Sequence, residues 1–219
     1  VDASIGGKNG VNHNGFKNII GTFCLPEFVR INTAFLETLP VRELRNGISE
    51  LLKTFIIGNR AAYSEAVTEF GHSENISGIS WVQYISMAAG IKSQIVENDF
   101  RDGGERKKLN LGHSFGHAIE RCAAAENVDI SHGEAVSMGI VIAARLSEKM
   151  GIASSGTAGR IEKDFASCGL VTKPAFGMEM LQDALRNDKK RNGDSLDFVF
   201  IRDIGDVSVR KIRLEDIRL

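Results

Sequence analysis

Residues 106–120 read RKKLNLGHSFGHAIE, and they are the most informative stretch of the chain. His113 and His117 are four residues apart, so in a helix both rings project from one face. Helices with two histidines at this spacing are typical of metal sites. A basic cluster that leads into Asn110 is suited to hold an anionic substrate through charge-assisted hydrogen bonds. The stretch therefore predicts a helix that carries a metal site beside an anion site.

A third histidine, His132, lies just before the next apolar stretch, and the whole chain contains only five histidines. From a loop or a helix start, His132 could return to the face that carries His113 and His117. A carboxylate would then complete three protein ligands and leave an open position for a substrate. The alternative interpretation is a set of surface or core histidines beside a solvated basic turn.

Around this stretch the sequence is mostly helical in pattern. Apolar residues recur at the i, i+3, i+4 spacing of an amphipathic helix over 44–56. The same spacing predicts helices over 63–70, 81–96, 110–125, 134–150 and 158–168. Strands are predicted at 19–23, 196–201 and 207–212, with a Gly205-Asp206 turn between the last two. The fold class expected is mainly α with minor strands.

Composition and charge argue against several classes of protein. The chain has 219 residues, and 27 lysines and arginines against 28 acidic residues give a net charge of −1. This balance argues against nucleic acid or a polybasic membrane contact as partner. The apolar runs are shorter than the ~18 residues of a membrane span. Three widely spaced cysteines with no CxxC argue against a disulfide framework, so a cytoplasmic location is expected.

The beginning of the chain is rich in glycine. Residues 6–12 read GGKNGVN, and Lys17 and Asn18 follow shortly after. Backbone amides, lysines and side-chain amides in this mixture are typical of a phosphate-binding loop, although the GxxxxGK[ST] spacing is absent. A flexible surface loop is the alternative. The opening VDASIGGK is unlike a polar, dispensable terminus, and we expect the chain to be part of a longer protein.

Four blocks, read in order, resemble the signature blocks of the 3-dehydroquinate synthase family: 2–18 (DASIGGKNGVNHNGFKN), 50–53 (ELLK), 106–120 and 132–136 (HGEAV). The resemblance implies a helical C-terminal domain of a dehydroquinate synthase-like fold. Residues 41–219 would be the metal- and substrate-binding domain, and residues 1–40 would be the end of the NAD-binding region with its glycine-rich loop. The α/β NAD-binding half of the family has no counterpart in the chain. A C-terminal part of an intact enzyme is favoured over a degenerate gene product, because every residue carried over is present.

The resemblance also implies residue roles. The metal ligands would be Glu50, His113 and His132. This set differs from the His113 and His117 pair that spacing favours, because the resemblance places His117 beside the substrate phosphate. The substrate contacts would be Asp2, Lys8, Asn18, Lys53, Lys92, Arg106, Asn110, His117 and Lys189 or its neighbour Lys190, with Lys53, Arg106, Asn110 and His117 taking part in catalysis. The nicotinamide-cofactor contacts would be Lys8, Lys17, Phe35, Leu36, Glu37 and Thr38.

Members of that family convert 3-deoxy-arabino-heptulosonate 7-phosphate into 3-dehydroquinate and phosphate in the shikimate pathway. They use NAD catalytically with a bound zinc or cobalt ion, and commonly form homodimers. Three alternatives stay open: another sugar-phosphate cyclase, a metal-dependent alcohol or glycerol dehydrogenase, and a non-enzymatic binding module. Asn110 and His117 favour dehydroquinate synthase over other cyclases, and the lysines of the glycine loop exceed what a dehydrogenase needs. Two histidines and a glutamate do not decide between zinc and cobalt.

Overall fold

The computed structural model describes residues 3–13, 16–72, 76–174, 176–189 and 195–217. The side chains of residues 12, 13, 16–19, 77 and 187–189 lie outside this description. In these ranges the α helices are α1 (Val41–Gly58), α2 (Arg60–His72), α3 (Trp81–Asn98), α4 (His113–Ala125), α5 (His132–Lys149), α6 (Thr157–Ser167) and α7 (Met178–Lys189). The strands are β1 (Lys8–His13), β2 (Phe16–Phe23), β3 (Ser195–Asp203) and β4 (Asp206–Arg213). The prediction of a mainly helical fold with minor strands is confirmed.

Helix α5 forms the centre of the core. Every residue from 135 to 144 is buried, as expected for a helix that is apolar on all sides. It packs against α1, α4, α6 and β3. Its start is fixed at His132 because the Glu134 carboxylate accepts the Ser131 backbone N–H at 2.8 Å, as in a capping box. Within the described ranges no helix has both the length and the apolar character that crossing a bilayer requires.

Helices α4 and α5 cross unusually closely at two glycines. A Cβ on Gly139 would overlap the carbonyl oxygen of Gly112 and lie 2.9 Å from the Gly116 nitrogen. Gly112 has φ 76°, which favours glycine, and a Cβ there would lie 2.5 Å from the Ile140 side chain. The start of α4, which carries His113, is therefore held by direct backbone contact against α5, about two turns after His132.

Gly112 also corrects one predicted boundary. The helix expected over 110–125 is divided, because the left-handed Gly112 separates a 3-10 helix at Glu105–Asn110 from α4. Asn110 therefore belongs to the short helix and His113 to the first turn of α4. The other predicted helices are present, with boundaries shifted by a few residues.

Each end of the chain contributes an antiparallel hairpin. In the first, β1 pairs with β2 in the register Lys8 to Phe23 and Gly10 to Gly21. In the second, β3 pairs with β4 in the register Ser195 to Arg213. The second hairpin turns at Ile204 and Gly205 rather than at the predicted Gly205-Asp206, and the Gly205 N–H bonds to the α1 carbonyl of Ile56 at 2.9 Å.

Candidate metal and substrate site

Three secondary-structure elements bring the candidate ligands to one place. Glu50 and Lys53 lie one turn apart on α1, His113 begins α4 and His132 begins α5. The first helix packs along α5, and α5 packs on α4, so the three elements meet around the two histidine helix starts.

The donor atoms of Glu50, His113 and His132 converge. One ligand atom from each lies within 4.8 Å of the others. Glu50 Oε1 is 3.9 Å from His113 Nε2 and 3.6 Å from His132 Nε2. That oxygen is buried and has no hydrogen-bond partner among the described residues. A buried acceptor without a donor is costly, and a cation between the three atoms would satisfy it.

The other ring nitrogens fix the tautomers that a metal needs. His113 Nδ1 is 3.1 Å from the Leu111 carbonyl oxygen, and His132 Nδ1 is 2.9 Å from Glu120 Oε1. Each acceptor calls for a proton on Nδ1, which leaves the lone pair of Nε2 free to point at Glu50. Metal-bound histidines in proteins are held by such outer hydrogen bonds. The donor set, two imidazoles and a carboxylate, fits a divalent ion such as zinc or cobalt.

Charges around the three ligands favour a cation. Burial alone would raise the pKa of Glu50, but Lys53 and the two histidines hold it well below its usual range. Burial and then Lys53 lower the pKa of His113 to about 3, so its ring is neutral at pH 7. The hydrogen bond to Glu120 and the nearby Glu50 carboxylate raise the pKa of His132 to about 9. A proton and a metal ion compete for the same nitrogen there, and both are attracted by the two carboxylates.

The three ligands lie in the wall of a cavity of about 970 Å³. Several residues that are expected to contact a substrate line this cavity: Lys8, Lys92, Asn110 and His117. Lys53 also lines it, is only 6% exposed, and donates to Glu50 Oε2 at 2.7 Å. Four cationic or amide groups and a histidine beside a carboxylate-histidine centre suit a phosphorylated, anionic ligand.

Arg106 is placed differently from a freely available arginine. It is 3% exposed, and its guanidinium donates to the Phe100 carbonyl at 2.6 Å and to the Gly6 carbonyl at 2.7 Å. It still lines the cavity, and a guanidinium has five N–H donors. Arg106 therefore joins two loops and keeps donors for a ligand.

The residues expected to contact the cofactor are less concentrated. Phe35, Leu36, Glu37 and Thr38 form part of a 3-10 helix at Thr33–Thr38, where Leu36 lines the cavity and Phe35 is 74% exposed. Asp2 lies outside the described residues. Lys17 and Asn18 belong to β2 and Lys189 ends α7, and their side chains lie outside the description.

Sequence reasoning missed two contributors to the site. Glu120, the hydrogen-bond partner of His132, is seven residues after His113 and so lies on the same face of α4. This spacing could have identified Glu120 from the sequence. Trp81 begins α3 and lines the cavity, with its indole N–H donated to the Ile76 carbonyl at 3.2 Å. No sequence pattern marks Trp81, since it reads as an ordinary core residue.

Comparison with known proteins identifies the family of the chain. A family model described as 3-dehydroquinate synthase C-terminal matches residues 47–191, and one described as 3-dehydroquinate synthase N-terminal matches residues 1–46. A 3-dehydroquinate synthase of Thermococcus kodakarensis is 41% identical over 212 residues, covering 97% of the chain and 58% of the relative. One of Dehalococcoides mccartyi is 38% identical over 207 residues, covering 94% and 57%. The chain thus spans little more than half the length of these relatives.

Solved structures share the fold. A 2-epi-5-epi-valiolone synthase from Streptomyces hygroscopicus, with NAD+ and Zn2+ bound, superposes with a TM-score of 0.81 at 24% identity, covering 99% of this chain and 60% of that one. A 2-deoxy-scyllo-inosose synthase complexed with carbaglucose-6-phosphate, NAD+ and Co2+ gives 0.79 at 22% identity, covering 99% and 63%. The fold is therefore that of the helical part of such synthases. The family models and the curated relatives identify the family within this class: the chain belongs to the 3-dehydroquinate synthase family.

Proposed function

We propose that the chain is the metal- and substrate-binding part of a 3-dehydroquinate synthase. The reaction would convert 3-deoxy-arabino-heptulosonate 7-phosphate into 3-dehydroquinate and phosphate, with NAD as catalytic cofactor and a zinc or cobalt ion. The supporting observation is the convergence of Glu50, His113 and His132 on the wall of a cationic cavity. Curated relatives of that name at 36% to 41% identity support it further. The division into residues 1–40 and 41–219, a homodimer and a cytoplasmic location belong to the same proposal.

The metal would be held by Glu50, His113 and His132. When bound, it would acidify and orient substrate hydroxyls, and NAD would accept and return a hydride. Glu120 and the Leu111 carbonyl keep the two imidazoles in the tautomer that leaves Nε2 free. Lys53 neutralises part of the Glu50 charge, and its buried ammonium faces the cavity side of the centre.

The remaining polar residues would bind the two ends of the substrate. His117, Asn110 and Lys53 are suited to the phosphate, where fixed donors stabilise the charge that grows as the carbon-oxygen bond to phosphate breaks. Lys92 and Arg106 are suited to the carboxylate end. The cavity walls also include Trp81, Ile85 and Leu109, which exclude water from the reacting carbons.

Phosphate release tests the proposal. The chain would be extended with the N-terminal part of the Thermococcus relative, loaded with zinc and NAD, and mixed with the heptulosonate phosphate. We expect equal amounts of inorganic phosphate and 3-dehydroquinate, and a loss of at least about a hundredfold in rate for His132→Ala. A zinc-loaded, folded protein that releases no phosphate would contradict the proposed reaction. A different cyclic product would assign the chain to another sugar-phosphate cyclase.

A further inference from the structure

A single carboxylate shapes the turn that follows α3. Asp99 accepts the backbone N–H groups of Gly103 at 2.9 Å, Gly104 at 2.7 Å and Arg106 at 3.0 Å. Hydrogen bonds to an ionised acceptor are stronger than neutral ones, so this side chain organises most of the turn. Asp99 itself lies outside the cavity lining formed by the described residues. We refer to residues 99–106 as the α3 turn.

The α3 turn reaches across to the glycine-rich segment 6–12, which we call the glycine loop and which includes most of β1, and to the end of β2. Arg106 donates to the Gly6 carbonyl, and Asp102 accepts from Lys8 Nζ at 2.5 Å. The Phe100 ring meets the Phe23 ring edge-on, with centroids 5.7 Å apart. These contacts join the part of the chain matched by the N-terminal family model to the part matched by the C-terminal one.

The fit between turn and loop is close. Gly6 has φ 110°, and a Cβ there would collide with the Arg106 guanidinium. Asp102 has φ 62°, in the left-handed region that is uncommon for non-glycine residues, although aspartate adopts it more readily than most. The Lys8 and Asp102 pair is partly exposed and would contribute little by itself. The three hydrogen bonds to Asp99 supply the constraint that the turn needs.

We propose that Asp99 is a positioning residue, which holds the α3 turn as a clasp that fixes the glycine loop and Lys8 at the mouth of the cavity. That Lys8 meets a substrate there rests on the proposed function. The structural part of the proposal, that Asp99 fixes the loop through Arg106 and Asp102, does not depend on the proposed function. The two parts are tested separately.

The position of the hairpin can be measured with groups that the chain already contains. Trp81 is the only tryptophan of the sequence, and Cys24, beside the end of β2, is exposed while Cys122 and Cys168 are buried. A fluorescent acceptor on Cys24 then reports the distribution of distances to Trp81 by time-resolved energy transfer. We expect a narrow distribution in the parent chain, a broad one in Asp99→Ala and an intermediate one in Asp99→Asn, which keeps one acceptor oxygen. The control is Asp183→Asn, an exposed aspartate on α7, which should match the parent.

An unchanged distribution in a folded Asp99 variant would overturn the clasp. Should Asp99→Ala fail to fold, Asp99→Asn decides the question in the same way. A broadening in Asp183→Asn equal to that in the Asp99 variants would also overturn it, because the effect would then not be specific to the turn.

Ligand affinity tests the consequence for the site. Zinc affinity is measured by competition with a chromophoric chelator, and affinity for the heptulosonate phosphate by Trp81 emission in the zinc-loaded chain. We expect Asp99→Ala to weaken sugar-phosphate binding about tenfold with zinc affinity unchanged, and Asp99→Asn to recover part of the loss. Equal loss of both affinities would show general destabilisation and refute positioning. A parent chain that binds zinc but not the sugar phosphate would contradict the proposed function, while the distance measurement still tests the clasp.

Discussion

His132 has a carboxylate at each of its ring nitrogens, Glu120 at Nδ1 and Glu50 at Nε2. Only the Glu120 contact, at 2.9 Å, has the geometry of a hydrogen bond. The other, at 3.6 Å, leaves room for an ion between the two atoms. At the scale of single residues, the site therefore offers a place where His132 and Glu50 could share a cation, while the Glu120 carboxylate holds the other ring nitrogen of His132.

Glu120→Gln is predicted to weaken zinc binding by the chain about 10- to 100-fold, because a neutral amide orients the imidazole less firmly and makes it less basic. Chelator competition at pH 7.5 measures the effect. Glu126→Gln, an exposed glutamate just after α4, serves as the control. Equal affinity in Glu120→Gln and the parent would mean that this carboxylate does not support the metal.

His113 and His117, the two histidines of α4, are predicted to differ in their effect on zinc binding. His132→Ala or His113→Ala should remove the single bound zinc, since each supplies one of three ligands, whereas His117→Ala should retain it. Elemental analysis after dialysis against zinc gives the stoichiometry. Zinc retained in His132→Ala, or lost in His117→Ala, would favour the pair that spacing alone suggests.

At the scale of elements, α2 and α6 are joined by a buried tyrosine. The Tyr63 hydroxyl donates to Asp164 Oδ2 at 3.2 Å, and the ring is fully buried. Burial, then Asp164 and Cys168, raise the pKa of Tyr63 above its ordinary value of 10.0, with Arg160 acting in the opposite direction. The folded state therefore keeps a proton that the unfolded chain loses in alkaline solution.

The stabilisation from Tyr63 should be complete below pH 10 and should decline as the pH rises above it. At pH 7 we expect Tyr63→Phe to lower the free energy of unfolding by about 1 kcal/mol, the worth of one hydrogen bond. Urea unfolding of both proteins between pH 7 and 11 measures the difference. A difference that stays constant across this range would contradict the assignment.

The elements that sequence could predict are those with a clear apolar period. Helix α1 and the buried α5 follow their patterns closely. Strand β1 was not predicted, because its Gly-rich sequence has no alternating apolar residues, and α7 was not predicted, because only Leu181 and Leu185 mark its buried face. The break at Gly112 depends on the crossing with α5, which no local pattern reveals.

The residues of the site likewise divide into those that the sequence pattern could identify and those that it could not. His113 and His132 could be proposed from clustering, but Glu50 reads as one more polar residue of an amphipathic helix. Only the packing of α1 along α5 makes it a neighbour of the histidines, so residue patterns could not identify it and the family resemblance did. The hydrogen bonds of Arg106 to two backbone carbonyls were equally beyond sequence reasoning.

At the scale of the whole molecule, the chain covers 57% to 58% of the length of its curated relatives. A dinucleotide's pyrophosphate is bound by backbone amides where a strand leads through a glycine turn into a helix. Within the described ranges, neither hairpin is followed by such a turn and an α helix. The residues expected to touch the cofactor would cover only one flank of it.

We therefore predict that the 219-residue chain binds zinc but binds NAD weakly or not at all. Calorimetric titration of the zinc-loaded chain with NAD measures this, and the extended protein described above is the positive control. Micromolar affinity in the chain alone would show that its cofactor site is more complete than the described residues indicate.

The backbone contact between Gly112 and Gly139 has a consequence for mutational tolerance. Neither residue offers a side chain to a ligand, yet any larger side chain at Gly139 would push the start of α4, and with it the His113 imidazole, away from α5, which carries His132. In a saturation screen of the extended protein, scored by growth of a host that lacks the activity in medium without the reaction product, Gly139 should therefore accept as few substitutions as a metal ligand. A ranking of positions by intolerance would place it among the active-site residues, although it acts only by setting how far apart they are.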